Sequence, residues 1–183
     1  METISQLHIS KNELQQWLHR MVNSQMKVYA PVRHGDKVDF QRLSSNDEVA
    51  GDYRKDGKDV LLQEKNLNNL PESVLWKVRP CDAAGFTPLG GIFNWDYKDN
   101  SYNTRRAKLT LISFSCTQCD ASCFCTSVQG GPGNCAGSDI QVTELPDKSA
   151  LIEVFTAKGK ALTDQFIKES SPAEEIEKEK YLA

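Results

Sequence analysis

A run of apolar residues that ends just before a cluster of cysteines constrains this chain most. Leu109–Phe114 (LTLISF) is nearly all apolar and has the length of one strand, which is typical of a strand buried on both faces of a sheet. Four of the six cysteines follow within ten residues, at Cys116, Cys119, Cys123 and Cys125. Ligand sites of open α/β sheets lie beyond the carboxyl ends of strands. The sequence therefore predicts a central strand that delivers a thiol-rich loop to one edge of a sheet.

A second thiol follows another strand-like run. Residues 74–78 (VLWKV) are mostly apolar, and the next residues are Arg79, Pro80, Cys81 and Asp82. Proline favours the end of the strand, and Asp82 can cap a helix over residues 83–93. Cys81 would then lie at a helix N-terminus, where free N–H groups and the helix dipole favour thiolate over thiol. If the two strands are parallel neighbours, Cys81 and the later cysteines share one edge of the sheet.

The remaining patterns predict an α/β fold: a mixed sheet with flanking helices in a single compact domain. A capping box at Ser10 and Glu13 begins an amphipathic helix over residues 11–24, because its apolar residues recur with helical spacing. Alternating or apolar runs bounded by turn residues predict two strand hairpins. Their strands are expected at residues 27–32 and 37–43, and at 140–145 and 150–155.

Less regular segments complete the predicted domain organisation. Residues 44–70 read as a polar surface loop with one short element at 60–62, and residues 96–108 as a polar connection. A short helix is predicted over residues 159–168. A second capping box, Ser171-Pro172-Ala173-Glu174, predicts a strongly charged helix from 174 to 181. We therefore divide the chain into an α/β domain over residues 1–167 and a charged helical tail over 168–183.

Composition and missing motifs exclude several function classes. The 183 residues carry a formal net charge of −3, which argues against binding nucleic acid through a basic surface. No secretory signal and no membrane-spanning run is present, so a cytoplasmic protein is expected. In a reducing compartment, clustered cysteines bind metal or do redox work more often than they form disulfides. No phosphate-binding glycine motif, HExxH motif or Ser-His-Asp set is found, so we expect no catalytic residues.

Two metal centres fit the cysteine spacing. Zinc requires four tetrahedral ligands, which Cys116 and Cys119 with Cys123 and Cys125 supply as two closely spaced pairs. A 4Fe-4S cluster requires four thiolates spread around a larger body, as three from the loop and a distant one such as Cys81 would provide. Spacing alone leaves both open.

Several short motifs together resemble one known family. They are Tyr29-Ala-Pro-Val32, Val78-Arg-Pro-Cys-Asp82, Arg105-Arg106, Cys116 with Cys123-Phe-Cys125-Thr-Ser, Ser138-Asp139, Thr143-Glu-Leu145 and Thr156-Ala-Lys-Gly159. In this order, over roughly residues 27–162, they resemble the N-terminal domain of the iron-sulfur β subunit of cytoplasmic sulfhydrogenases and of the similar iron-sulfur subunit of anaerobic sulfite reductase.

The resemblance implies electron transfer. It assigns a 4Fe-4S cluster to Cys81, Cys116, Cys123 and Cys125 by motif position, and partners that comprise ferredoxin-type iron-sulfur, flavin and hydrogenase or reductase subunits. The implied role is a non-catalytic accessory subunit that relays electrons between a flavin subunit handling NAD(P)H and a catalytic subunit. This chain departs from the family pattern because no ferredoxin motif follows the domain. Cys119 and Cys135 are additional thiols that could replace one of the four. The alternative function is a zinc domain that mediates assembly.

Overall fold

A mixed eight-stranded sheet organises the part of the chain that the computed structural model describes, which comprises residues 2–50, 58, 67–173 and 181–182. Its order is β3-β2-β4-β5-β6-β7-β1-β8, with β2, β4, β5 and β6 parallel to one another and the other neighbours antiparallel. The strands are β1 (Ser5–Ile9), β2 (Lys27–His34), β3 (Lys37–Arg42), β4 (Ser73–Val78), β5 (Leu109–Phe114), β6 (Ile140–Glu144), β7 (Ala150–Val154) and β8 (Ser171–Pro172).

Helices cover both faces of this sheet. They are α1 (Lys11–Val22), α2 (Pro80–Ala84), α3 (Phe86–Ile92), α4 (Asn100–Lys108) and α5 (Ala157–Phe166), with 3-10 turns at Leu67–Asn69 and Cys125–Val128. On the α1 and α5 face, the Trp76 ring packs edge-on against Trp17 at 5.0 Å and Phe114 at 5.1 Å. On the other face, α2, α3 and α4 bury Phe86 and Tyr102. The predicted α/β class, a mixed sheet with flanking helices, is confirmed.

The face of the sheet that α2, α3 and α4 cover is apolar over only part of its width. Beside the strands covered by α2 to α4, β5 and β6 present Ser113, Gln141 and Thr143, all fully buried. The loop after β5 covers these polar groups. The Gln141 Nε2 donates to the Asn134 carbonyl at 3.0 Å, and the Ser138 hydroxyl donates to the Ser113 hydroxyl at 2.8 Å. The end of the cysteine-rich loop, at Asn134 and Ser138, is therefore seated on a floor of polar side chains instead of on the hydrophobic core.

The predicted first helix and both hairpins are present. The Ser10 hydroxyl accepts the Glu13 N–H at 3.1 Å and begins α1. The second half of the capping box has another role. The Glu13 carboxylate is buried, and it binds Arg20 and the Lys168 N–H. The hairpin strands pair antiparallel as β2 with β3 and as β6 with β7.

The helix predicted over residues 83–93 begins earlier and is divided. Pro80 is the first residue of α2, and Asp82 lies inside this helix instead of capping it. Proline suits the first helical position because its fixed φ is already helical and its missing N–H is not needed there. Asp82 instead binds the Arg79 guanidinium at 2.7 Å. The chain then turns at Gly85 into α3.

Two further predictions are corrected by local contacts. The expected polar connection over residues 96–108 contains α4, because the Asp99 carboxylate accepts the Tyr102 N–H at 2.8 Å and the Tyr102 ring is buried. Ser171 and Pro172 pair with β1 as β8, so no helix begins at Pro172. The short element at residues 60–62 and most of the charged helix over 174–181 lie outside the described residues.

Candidate metal centre

The two cysteine-bearing segments meet at one edge of the sheet. Strands β4 and β5 are adjacent and parallel, with Leu75 opposite Leu111. Cys81 follows β4 in the first turn of α2, and Cys116 lies two residues beyond the end of β5. Because parallel strands end at the same edge, both thiols leave the sheet on the same side. This is the arrangement that the sequence predicted for parallel neighbours.

A bulge in β4 turns the chain toward this edge. Lys77 has a φ of 62°, and the pairing with β5 shifts between Trp76 and Val78. One extra residue reverses the alternation of side chains along a strand. Trp76 consequently packs in the α1 and α5 core, whereas Val78 packs beneath α2. The bulge thereby anchors the Cys81 helix over the second face of the sheet.

Electrostatic effects connect four of the thiols. All six cysteines are free. The pKa of Cys116 is raised to about 11, mainly by burial and then by Cys81, with smaller contributions from Cys125 and Cys123. The pKa of Cys81 is also raised, first by burial, then by Asp82, with a contribution from Cys125. Charge on Cys81, Cys123 or Cys125 therefore raises the pKa of Cys116, and charge on Cys125 raises the pKa of Cys81.

The raised pKa values of Cys81 and Cys116 favour their neutral thiols in metal-free protein, contrary to the thiolate predicted for Cys81. The Arg79 guanidinium lowers the pKa of both thiols, but it is outweighed by burial and the Asp82 carboxylate at Cys81, and by burial and Cys81 at Cys116. The helix that was expected to favour thiolate has five residues, and its dipole is accordingly small. Binding a metal centre here must displace protons, since thiolates are the metal ligands.

Backbone hydrogen bonds shape the loop that carries the later thiols. The Cys116 N–H donates to the Pro132 carbonyl at 2.9 Å, and the Gly130 N–H donates to the Cys125 carbonyl at 2.8 Å. The Asp120 N–H donates to the Cys123 sulfur at 3.3 Å. These bonds fold residues 116–132 back on themselves. The glycine-rich stretch therefore closes the loop, with its Gly130 N–H directed to a carbonyl instead of a sulfur.

Close backbone contacts join the end of this loop to the Cys81 helix. Gly137 has a φ of +80°, and a Cβ added there would lie 2.0 Å from the Ala83 carbonyl oxygen of α2. A Cβ on Gly133 would lie 2.6 Å from the Leu182 side chain, so Leu182 packs on the same loop. Near Gly85, an added Cβ would lie 3.1 Å from the Lys58 side chain. Lys58 thus reaches α2 from the segment that was predicted as a polar surface loop.

The predicted ligands are exposed to different degrees. Cys81 and Cys123 are exposed, whereas Cys116 and Cys125 are half-buried. Of the two extra thiols, Cys119 is exposed and Cys135 is half-buried in the turn that continues to Ser138. The main charge effects on Cys81 and Cys116 come from the other members of the predicted set and from Asp82 and Arg79. The assignment of Cys81, Cys116, Cys123 and Cys125 stays a prediction.

The donor type is common to zinc and iron-sulfur centres. Within the described residues, no group of three or more His, Cys, Asp or Glu side chains could hold one metal ion. A zinc site draws its sulfurs to about 2.3 Å from one atom, whereas a cluster spreads its thiolates around a larger body. The four thiols of the predicted set are free, and thiolates are the donors that both kinds of centre use.

Two residues near the thiols were missed as candidates by sequence reasoning. Arg79 supplies positive charge to Cys81 and Cys116, and it is oriented by two hydrogen bonds to Asp82 at 2.7 and 3.2 Å. Asp120 donates its N–H to Cys123 and accepts the Ser122 N–H at 2.7 Å. The Arg79–Asp82 spacing of three residues was a readable signal. For Asp120, the sequence offered only the general preference of aspartate for turns.

Comparison with known proteins gives one distant relationship. The chain is 30% identical over 148 residues to sulfhydrogenase 2 subunit beta of Pyrococcus furiosus, an alignment that covers 73% of this chain and 43% of that protein. The chain thus spans less than half the length of this relative. No protein-family profile and no solved structure matches the chain. Among the described residues, no helix has the length and apolar character needed to cross a bilayer. The chain is a distant homologue of the sulfhydrogenase beta subunit, which confirms the resemblance found in its motifs.

Proposed function

We propose that this domain is an electron-transfer accessory subunit that carries a 4Fe-4S cluster on Cys81, Cys116, Cys123 and Cys125. The observation that carries the proposal is the convergence of two thiol-bearing segments at one edge of the sheet. Adjacent parallel strands deliver Cys81 and Cys116 there, and charge effects link these two to Cys123 and Cys125. Homology to a sulfhydrogenase beta subunit supports a redox role.

The residues around the thiols suit such a centre. When bound, the cluster supplies one-electron redox chemistry, whose potential depends on charge and on hydrogen bonds to sulfur. Arg79 offsets part of the negative charge at Cys81 and Cys116. The N–H groups of Asp120 and Asp82 act on Cys123 and Cys81. Pro132 and Gly130 hold the loop closed through Cys116 and Cys125.

The partners follow from the same proposal. We infer that the domain works in a cytoplasmic multi-subunit oxidoreductase of the hydrogenase or sulfite-reductase type. It would relay electrons between a flavin module that uses NAD(P)H and a catalytic subunit, beside ferredoxin-type iron-sulfur subunits. The name of the relative describes a beta subunit of sulfhydrogenase, which supports a role within a larger assembly.

Anaerobic purification tests the cluster directly. We expect brown protein whose broad visible absorption is bleached by dithionite, with iron and sulfide in equal amounts. Cys81→Ser and Cys125→Ser should each lose this absorption, while the matched variants Cys119→Ser and Cys135→Ser should retain it. Colourless protein with stoichiometric zinc would overturn the proposal in favour of a zinc-binding assembly domain. An intact cluster in Cys81→Ser would mean that Cys119 or Cys135, instead of Cys81, is the fourth ligand.

A further inference from the structure

A pocket beside the thiol-bearing helix has no role in the function proposed above. Its volume is about 300 Å³, at the lower end of the range of about 300–1,000 Å³ that is typical of small-molecule sites. It lies between α3, α4 and the loop after β5, and no cysteine lines it. The lining residues that the following argument uses are Phe86, Gly90, Asn94, Tyr102, Asn103 and Arg106.

The wall from α4 presents an unsatisfied hydroxyl. Tyr102 is 6% exposed, and its hydroxyl oxygen is buried with no hydrogen-bond partner among the described residues. The ring cannot turn away freely, because it stacks on Phe93 at 4.5 Å with an interplanar angle of 9°. A Cβ on Gly90 would lie 3.4 Å from this oxygen, so glycine leaves room in front of it. A buried hydroxyl without a partner is costly, and a ligand acceptor would remove that cost.

A positive charge lies one helical turn away. Arg106 is four residues after Tyr102 on α4, which places both side chains on the same side of that helix. Its guanidinium donates to the carbonyls of Leu109 at 3.0 Å and Gly137 at 3.5 Å. Within the described part of the chain, no carboxylate forms an ion pair with Arg106, and a guanidinium has five N–H donors. Donor capacity therefore remains for an anion.

Phe86 adds an aromatic ring to the pocket lining, and the pocket rim is fixed. The Arg106 guanidinium lies over the Phe86 ring at 5.6 Å, which places an apolar surface beside the charge. Asn94 and Asn103 exchange amide hydrogen bonds at 2.7 and 3.2 Å, and Asn94 also donates to the Gly90 carbonyl at 2.8 Å. Because these amides satisfy one another, they hold α3 against α4 and leave recognition to Tyr102 and Arg106.

We propose that this pocket binds a small organic carboxylate, with its carboxylate accepting hydrogen bonds from Arg106 and the Tyr102 hydroxyl. The apolar body of the ligand lies against Phe86. A charged acceptor suits two donors in a partly buried site, since hydrogen bonds to ionised groups are the strong ones. The volume exceeds what an inorganic ion alone would fill, and the Phe86 side offers such an ion no partner.

Calorimetric titration of the full chain tests the proposal, with benzoate as the probe and benzamide as its neutral counterpart. Saturable benzoate binding is expected, with benzamide at least about tenfold weaker, as for a lost charge-assisted hydrogen bond. Acetate, sulfate and phosphate complete the series. Equal binding of benzoate and benzamide, tighter binding of sulfate or phosphate, or no saturable binding of benzoate would each overturn the proposal.

Three variants locate the site. Arg106→Gln should weaken benzoate binding about tenfold or more, and Tyr102→Phe should weaken it several-fold. The control Arg105→Gln removes the adjacent charge outside the pocket and should leave the benzoate affinity within about twofold. Without ligand, Tyr102→Phe should melt no lower than the unmodified chain, because the lost hydroxyl has no partner to lose. A lower melting temperature, or unchanged benzoate affinity in Tyr102→Phe, would contradict the assignment. Since no cysteine lines the pocket, these results are independent of whether the iron-sulfur proposal holds.

Discussion

Replacing Gly137 by alanine should destabilise the protein more than any comparable change in the cysteine-rich loop. The new Cβ would lie 2.0 Å from the Ala83 carbonyl oxygen and 2.7 Å from its carbon, both backbone atoms of the helix that carries Cys81. The φ of +80° adds a backbone penalty. We expect about 1–2 kcal/mol from the left-handed conformation and about 1–3 kcal/mol from displacing the neighbouring backbone, or about 2–5 kcal/mol together.

The matched control is Gly131→Ala in the same loop. A Cβ there meets nothing within 4 Å, and this glycine is not among the residues with positive φ. Its effect should stay within about 1 kcal/mol. Urea unfolding followed by circular dichroism gives both free energies, and Gly137→Ala should melt roughly 4–20 °C lower in a domain of this size. Equal stability of the two variants would show that the loop does not rest on α2 as described.

Two further changes test the thiols and the first helix. The pKa of Cys116 rises from 9.0 to about 11 on folding, so the folded state binds more protons than the unfolded state between these pH values. Metal-free protein should therefore lose stability as the pH rises from about 9 to 11. The loss should be at most about 2.7 kcal/mol, and less where water reaches the sulfur. Unfolding curves of Cys116→Ser should lack this component, and an identical pH dependence would refute the shift. Glu13→Ala removes the buried acceptor of Arg20 and the Lys168 N–H and should cost about 2–4 kcal/mol, whereas Glu144→Ala, at an exposed position, should cost under about 0.5 kcal/mol. Thermal unfolding compares the two, and similar losses would show that the Glu13 contacts contribute little.

Local sequence patterns were sufficient to predict the elements that are stabilised by local contacts or that consist of a strongly apolar run. The fully buried Leu109–Phe114 strand, the Ser10 cap and the two hairpins all follow from residue type and spacing. The first strand, Ser5–Ile9, was not predicted, because it is stabilised by pairing with Ala150–Val154, which is far away in sequence. Local propensity carries no information about such a partner.

The candidate site was predictable in outline. The parallel arrangement of the strands before Cys81 and Cys116 agrees with the expectation from the apolar runs. The shift at Lys77 was not predictable, since lysine rarely takes a positive φ and only the packing of Trp76 and Val78 on opposite faces requires it. The raised thiol pKa values likewise depend on burial by distant segments.

The polar floor beneath the end of the cysteine loop has a consequence for the protein without the proposed cluster. Small zinc domains collapse on chelation because the ion is their core, but here Trp17, Trp76 and Phe114 pack on the far side of the sheet. Releasing the loop would expose Ser113, Gln141 and Thr143 to water, which hydrates such groups readily, and would leave the aromatic layer dry. If the proposed cluster is bound, the scaffold should therefore keep its fold when the cluster is removed and restored, with amide exchange quickened in the loop alone.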